Sequence, residues 1–189
     1  MRIVIFASGN GSNAENIINY FSDNQNINVV TVFSNKNDAN VLKRAQKHQI
    51  ATIAFNKFAF FEHDHILGIL QSIKPQLIVL AGFLWKLPPH IIQAFPKKIV
   101  NIHPALLPKY GGKGMYGMNV HNAVVANGEK ETGITIHYVN EEYDEGAILF
   151  QKSISVQKED TPETVAAKVH DLEYEHFPEI IEKIVHGKI

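Results

Sequence analysis

Asn101-Ile102-His103-Pro104 closes an apolar run in the middle of the chain. Alternate residues of a strand share a face, so Asn101 and His103 point one way and Ile102 the other. Pro104 biases His103 towards extended backbone. Ligands of open parallel sheets bind beyond the carboxyl ends of the strands. An amide and an imidazole pointing together into such a crevice can stabilise an oxyanion and move a proton. The structural alternative is a histidine that only satisfies backbone groups at a strand end. A second stretch, Glu141-Glu142-Tyr143-Asp144-Glu145-Gly146, is an acidic turn. A carboxylate folded back onto His103 would favour its protonated form. A solvated hairpin turn is the other reading, and spacing does not choose among its four acids.

The third stretch is Ser8-Gly9-Asn10-Gly11-Ser12-Asn13-Ala14, where Gly9, Gly11 and Ala14 match G-x-G-x-x-A. Such glycines let backbone N–H groups approach an anion at a positive helix N-terminus. A dinucleotide site would want an acid at the end of the next strand. That strand reads Phe33-Ser34-Asn35-Lys36, so a single phosphate fits better than NAD. Ser12 and Glu15 could instead form a capping box, with the glycines making only the turn. His63 and His65, two apart in a helical pattern, should not share a face. No H-E-x-x-H, G-x-S-x-G or G-x-x-x-x-G-K-[ST] pattern occurs, which removes the main support for zinc-site, serine-hydrolase and P-loop readings.

The elements that must carry these stretches follow from periodicity. Ile3–Ala7, Val29–Phe33, Ile50–Phe55, Leu77–Leu80 and Ile99–Ile102 read as strands, with Ile3–Ala7 as a buried parallel strand and Leu77–Leu80 buried on both faces. Between them, Ala14, Ile17, Ile18 and Phe21 mark a first helix, Asp38 to Gln49 a second, and Ile66 to Ile73 a third. This β-α-β-α order implies an α/β fold with a doubly wound, mainly parallel twisted sheet. Pro104 to Gly117 reads as a long loop, and Val120, Ala123 and Val124 as the inner face of a short helix that Gly128 stops. Gly133–Val139 and Ala147–Val156 flank the acidic turn and should pair antiparallel. Thr161 can cap a last helix with Pro162 at its first position and a kink at Pro178. The expectation is one domain, 1–189, with a phosphate-binding parallel half, 1–103, and a closing half, 104–189.

Composition sets bounds. Zero Cys removes disulfide scaffolds, Cys-based metal sites and thiol nucleophiles. A net charge of -1, without a Lys/Arg block, argues against nucleic acid as a partner. The longest apolar run, Leu77 to Trp85, has nine residues, short of the roughly 20 a spanning helix needs. A cytoplasmic protein without a membrane partner is expected.

Taken in order, these motifs resemble one family. They are Ile3 to Asn13, Val32-Phe33-Ser34-Asn35-Lys36, Leu80-Ala81-Gly82-Phe83, Asn101-Ile102-His103-Pro104-Ala105-Leu106-Leu107-Pro108 and Tyr143-Asp144-Glu145-Gly146. Together they resemble the phosphoribosylglycinamide formyltransferases, a Rossmann-like formyltransferase fold. The resemblance implies 5-phosphoribosylglycinamide as substrate and 10-formyltetrahydrofolate as co-substrate, with no metal. It assigns Gly11, Ser12 and Asn13 to the substrate phosphate, with His170 nearby, and Glu173 to the ribose. It assigns Asn101, His103 and Asp144 to catalysis, with His103 an imidazolium whose pKa Asp144 raises. It gives Leu84, Trp85, Lys86 and Leu87, with Asn101 and the turn Asn140, Glu141, Glu142, Tyr143 and Asp144, to the folate pocket. Trp85 departs from the family, where Arg is common, and the family's Arg near 60–65 is absent. A homodimer stays open. Rival expectations are a folate hydrolase, weakened by the lack of an added N-terminal domain, formyl transfer to a charged tRNA, a non-catalytic nucleotide-binding module and a dehydrogenase.

Overall fold

The short runs rich in apolar and β-branched residues become strands. They are β1 (Arg2–Phe6), β2 (Asn28–Ser34), β3 (Ala51–Ala54), β4 (Leu77–Leu80) and β5 (Ile99–His103). The computed structural model describes residues 1–189. The chain forms two units, Met1–Val100 and Asn101–Ile189, with the boundary inside β5.

In the first unit the strand order is β3-β2-β1-β4 and every pair is parallel. The opening of β5 lies beyond β4, where the Ile78 N–H donates to the Lys98 carbonyl at 2.8 Å. All four residues of β4 are buried, as its uniform apolar sequence requires. The crossovers carry α1 (Ser12–Tyr20), α2 (Asn40–Lys47), α3 (His65–Ile73) and α4 (Pro89–Ala94). The centre of this unit is aromatic. Phe6 stacks on Phe33 with ring centroids 4.6 Å apart, and Phe55, Phe60 and Phe83 close around Phe6. Each such pair adds about 0.5–1.5 kcal/mol beyond its buried area.

In the second unit β6 (Glu131–Tyr138) lies between the end of β5 and β7 (Ile148–Ser155), and β6 and β7 run antiparallel. The sheet class is thus the expected one, mainly parallel with an antiparallel C-terminal pair. Helices α5 (Met118–Ala126) and α6 (Pro162–Val185) complete this unit. Thr161 caps α6 in a reciprocal box with Thr164, and Pro162 takes the first turn. A box of this kind satisfies two helix-end groups at once.

Helix α6 continues through Pro178, which is buried within it. Several local expectations change. The sequence reading missed α4, whose start is set by Pro88 in extended backbone and Pro89 in the first turn. Residues Phe58–Glu62 form a π-helical turn, and His63 is extended rather than helical. The His63 and His65 rings therefore stack, 5.3 Å apart, where a helix would have separated them. On α5, His121 is buried and Ala123 only half-buried, so the inner face is rotated from the expected one.

Gly133 faces the backbone of β7 with no room for a side chain. A Cβ there would lie 1.9 Å from the Lys152 carbonyl oxygen. Gly133→Ala must push the two strands apart, and a loss of about 2 kcal/mol is expected for such overpacking. Urea denaturation measures it; a midpoint equal to that of the unsubstituted chain would contradict the packing described.

Candidate active site

The end of β5 and the acidic turn meet in the second unit. His103 is 3% exposed and its Nε2 is 2.8 Å from the Tyr110 carbonyl oxygen. A carbonyl can only accept, so Nε2 carries the proton and Nδ1 presents its lone pair when the ring is neutral. Asp144 Oδ2 lies 3.6 Å from that Nδ1. The same carboxylate places Oδ1 3.7 Å from His137 Nε2. Its side chain is 13% exposed, which excludes the solvated-turn reading for this acid. Glu141, Glu142 and Tyr143 are exposed, as is Asn140, whose Oδ1 accepts from the Glu142 N–H at 3.0 Å.

Asn101 shares this cluster through a residue the sequence reading passed over. Its Nδ2 is 3.1 Å from His137 Nε2. His137 Nδ1 is 2.9 Å from the Tyr138 carbonyl oxygen, so the proton sits on Nδ1 and Nε2 accepts from the amide. One Asn101 N–H is thereby fixed, and the second is oriented with it. The available signal was period: Gly133, Thr135 and His137 share one face of β6, and a histidine amid apolar strand residues needs polar partners.

Local backbone holds the set in place. Asp144 has a φ of 56°, a left-handed conformation that Asp tolerates better than most residues. The Gly112 N–H donates to Asp144 Oδ2 at 2.9 Å. A Cβ on Gly111 would sit 2.7 Å from Leu107 Cδ2 and 3.3 Å from Asp144 Cβ, so a side chain there would displace the carboxylate. Tyr110 donates its hydroxyl to Glu129 and accepts from Asn127, both at 2.9 Å. Thr135 Oγ1 accepts from the Leu107 N–H at 3.0 Å and donates to the Ala105 carbonyl at 2.6 Å.

Burial and charge oppose each other at the imidazoles. Burial is the largest influence on His103 and lowers its pKa; Asp144 pushes it up but does not overcome burial. The net direction for His103 is therefore below the ordinary 6.5, although Asp144 raises it as the resemblance implies. Burial also lowers His137 and His121. His121 keeps a buried Nδ1 without a hydrogen bond. His170 behaves oppositely: its Nδ1 bonds to Glu173 Oε2 at 2.8 Å, and this raises its pKa. Glu173 is 5% exposed.

The remaining expected residues lie in the first unit. Gly11, with φ 77°, caps α1 without any side-chain cap, so the Ser12–Glu15 capping box does not form. Glu15 is taken by Arg44, with which it forms an ion pair. Arg44 Nε also donates to the Asn10 carbonyl at 2.9 Å, bracing the loop against α2. The first intrahelical bond runs from the Glu15 N–H to the Gly11 carbonyl. The N–H groups of residues 12–14 therefore lie outside the helical ladder, where an anion could meet them. Ser12 and Asn13 are half-buried. Leu84 is exposed, and its N–H donates to Ser8 Oγ at 2.9 Å. Trp85 and Lys86 are half-buried and Leu87 is buried. No group of three or more His, Cys, Asp or Glu is arranged to hold a metal ion, and no helix is long and apolar enough to cross a membrane.

Fold and site together define a Rossmann-like α/β protein with an amide–imidazole–carboxylate set at a strand end. The formyl transferase profile matches residues 1–181. A chloroplastic phosphoribosylglycinamide formyltransferase of Arabidopsis thaliana is 39% identical over 194 residues, with 100% of this chain and 66% of the relative covered. The chain thus spans about two thirds of that relative's length. The phosphoribosylglycinamide formyltransferase of Haemophilus influenzae is 38% identical, with 100% and 89% covered. A crystal structure of the Anaplasma phagocytophilum phosphoribosylglycinamide formyltransferase superposes with a TM-score of 0.90 at 33% identity, covering 100% and 89%. The chain belongs to the formyl transferase family, in its phosphoribosylglycinamide formyltransferase branch.

The opposed pKa directions set a pH dependence. His103, His121 and His137 fold with pKa values below the ordinary 6.5, so below that pH the unfolded chain binds more protons and stability falls. His170 acts in reverse: its contribution is full below 6.5 and is lost as pH rises through its raised value. The three lowered histidines should together cost stability as pH falls below 6.5, with His170 opposing them. Ring-proton NMR should show His170 titrating above 6.5 and the other three below it. His103 titrating above 6.5 in the free protein would contradict the balance described.

Proposed function

We propose that the chain transfers the formyl group of 10-formyltetrahydrofolate to the amine of 5-phosphoribosylglycinamide. The acceptor is the one its relatives are named for, and the donor follows from the family resemblance. The observation that carries the mechanism is the convergence of Asn101, His103 and Asp144, with His137, at the end of β5.

The substrate amine attacks the formyl carbon, forming a C–N bond and turning the carbonyl oxygen into an oxyanion. The second N–H of the Asn101 amide, oriented by His137, stabilises that oxyanion. His103 begins neutral with its Nδ1 lone pair available. It takes the proton that the attacking nitrogen sheds, and Asp144 Oδ2 stabilises the imidazolium as it forms. The C–N bond to the folate then breaks, and His103 returns the proton to the departing nitrogen. A resting pKa lowered by burial suits this role, because the ring must accept a proton and then give it up. Gly11, Ser12 and Asn13 take the substrate phosphate, with His170 contributing positive charge, and Glu173 takes the ribose. Leu84 to Leu87 and Asn140 to Asp144 wall the folate pocket.

His103→Ala should fold, as circular dichroism will report, and lose at least roughly 10²-fold in turnover. Asp144→Asn keeps the shape and removes the charge, so it should lower turnover and shift the pH profile to lower pH. Near-normal turnover of His103→Ala, or an unchanged profile in Asp144→Asn, would overturn the mechanism.

A further inference from the structure

The first unit holds a cavity of about 610 Å³ that the proposed reaction does not use as a whole. Asn35, Lys36, Asp38, Phe55, Lys57 and Trp85 line it. Residues 35–38 follow the last residue of β2, and 55–57 follow the last residue of β3. These are adjacent carboxyl ends of parallel strands, where open α/β sheets take their ligands. The volume falls in the range of about 300–1,000 Å³ typical of small-molecule sites.

The lining is chemically mixed in a particular way. Phe55 and Trp85 meet edge-on, with centroids 6.0 Å apart, and form an aromatic wall. The Lys57 ammonium stands 6.0 Å from the centre of the Trp85 ring, which gives a flexible cation a preferred place. Lys36 is exposed, and neither lysine is ion-paired. Asp38 is the one carboxylate on the lining, so the cavity has a net positive charge. Asn35 keeps a buried Oδ1 that accepts no hydrogen bond. Such an acceptor costs about 1–3 kcal/mol until a donor reaches it.

We propose that this cavity binds a nucleoside phosphate. The base packs on the wall of Phe55 and Trp85. The phosphate pairs with Lys36 and Lys57. Asp38 accepts from the ribose hydroxyls, and a base or ribose donor satisfies Asn35 Oδ1. Each part answers a separate feature of the lining: aromatic surface, paired cations, a lone carboxylate and an unmet acceptor. A bare phosphate would leave the wall and Asn35 unused. A simple aromatic acid would leave Asp38 facing a like charge.

Trp85 is the only tryptophan in the chain, so its fluorescence reports on this cavity directly. AMP should change its emission saturably and bind in isothermal titration calorimetry. Adenosine should bind at least about tenfold more weakly, because charge-assisted contacts to the phosphate are lost. The double substitution Lys36→Gln with Lys57→Gln changes two exposed side chains and should leave circular dichroism, thermal midpoint and formyl transfer unchanged. It should weaken AMP binding at least about tenfold. AMP binding that survives the double substitution would place the nucleotide elsewhere, at the 9–13 loop for example, and overturn the proposal. So would an absence of AMP binding, or lysine-dependent binding of 4-aminobenzoylglutamate but not of AMP. AMP binding is read without formyl transfer, so the proposal stands or falls apart from the reaction.

Discussion

The bond from His103 Nε2 to the Tyr110 carbonyl oxygen is the constraint on which the active cluster depends. It fixes the tautomer and leaves Nδ1 facing Asp144. Without it the buried ring could rotate or exchange its proton, and the carboxylate would face the wrong nitrogen. Much of the second unit serves that bond. Tyr110 is held through its hydroxyl by Glu129 and Asn127. The segment leading to it is tied to β6 and β7 by Thr135 and Gln151. A second bond of the same kind, from His137 Nδ1 to the Tyr138 carbonyl, fixes the orientation of Asn101 in turn.

Electrostatics follows from this packing. Burial alone would make a charged His103 costly, and Asp144 alone would favour it. Their opposition leaves a ring whose pKa lies below the ordinary value while a carboxylate lies 3.6 Å from its Nδ1. In the proposed reaction such a ring can take a proton and then give it up. Asp144 reaches its place only by adopting positive φ, with Gly111 leaving room and Gly112 donating to it. Backbone of this kind is found where function over-determines it.

Leu77–Leu80 was legible because burial on both faces forces an unbroken apolar run, and it matches its expected strand residue for residue. Asn101 and His103 were legible because strand period places them on one face. What escaped were features that depend on partners remote in sequence. The Ser12–Glu15 spacing looked like a capping box, but Arg44 on another helix takes Glu15. Four acids in one turn looked equivalent, and only the fold singles out Asp144. His137 and His121 carry no local signal beyond a polar ring among apolar neighbours. The net pKa of His103 was out of reach because it depends on burial, which spacing does not report.

Formyl transfer should depend on the acceptor. The most direct test mixes the purified protein with 10-formyltetrahydrofolate and follows deformylation by absorbance, with and without 5-phosphoribosylglycinamide. Turnover is expected only when that acceptor is present, with formylated product accumulating in step. Release of formate without the acceptor, or no turnover with it, would overturn the proposed reaction.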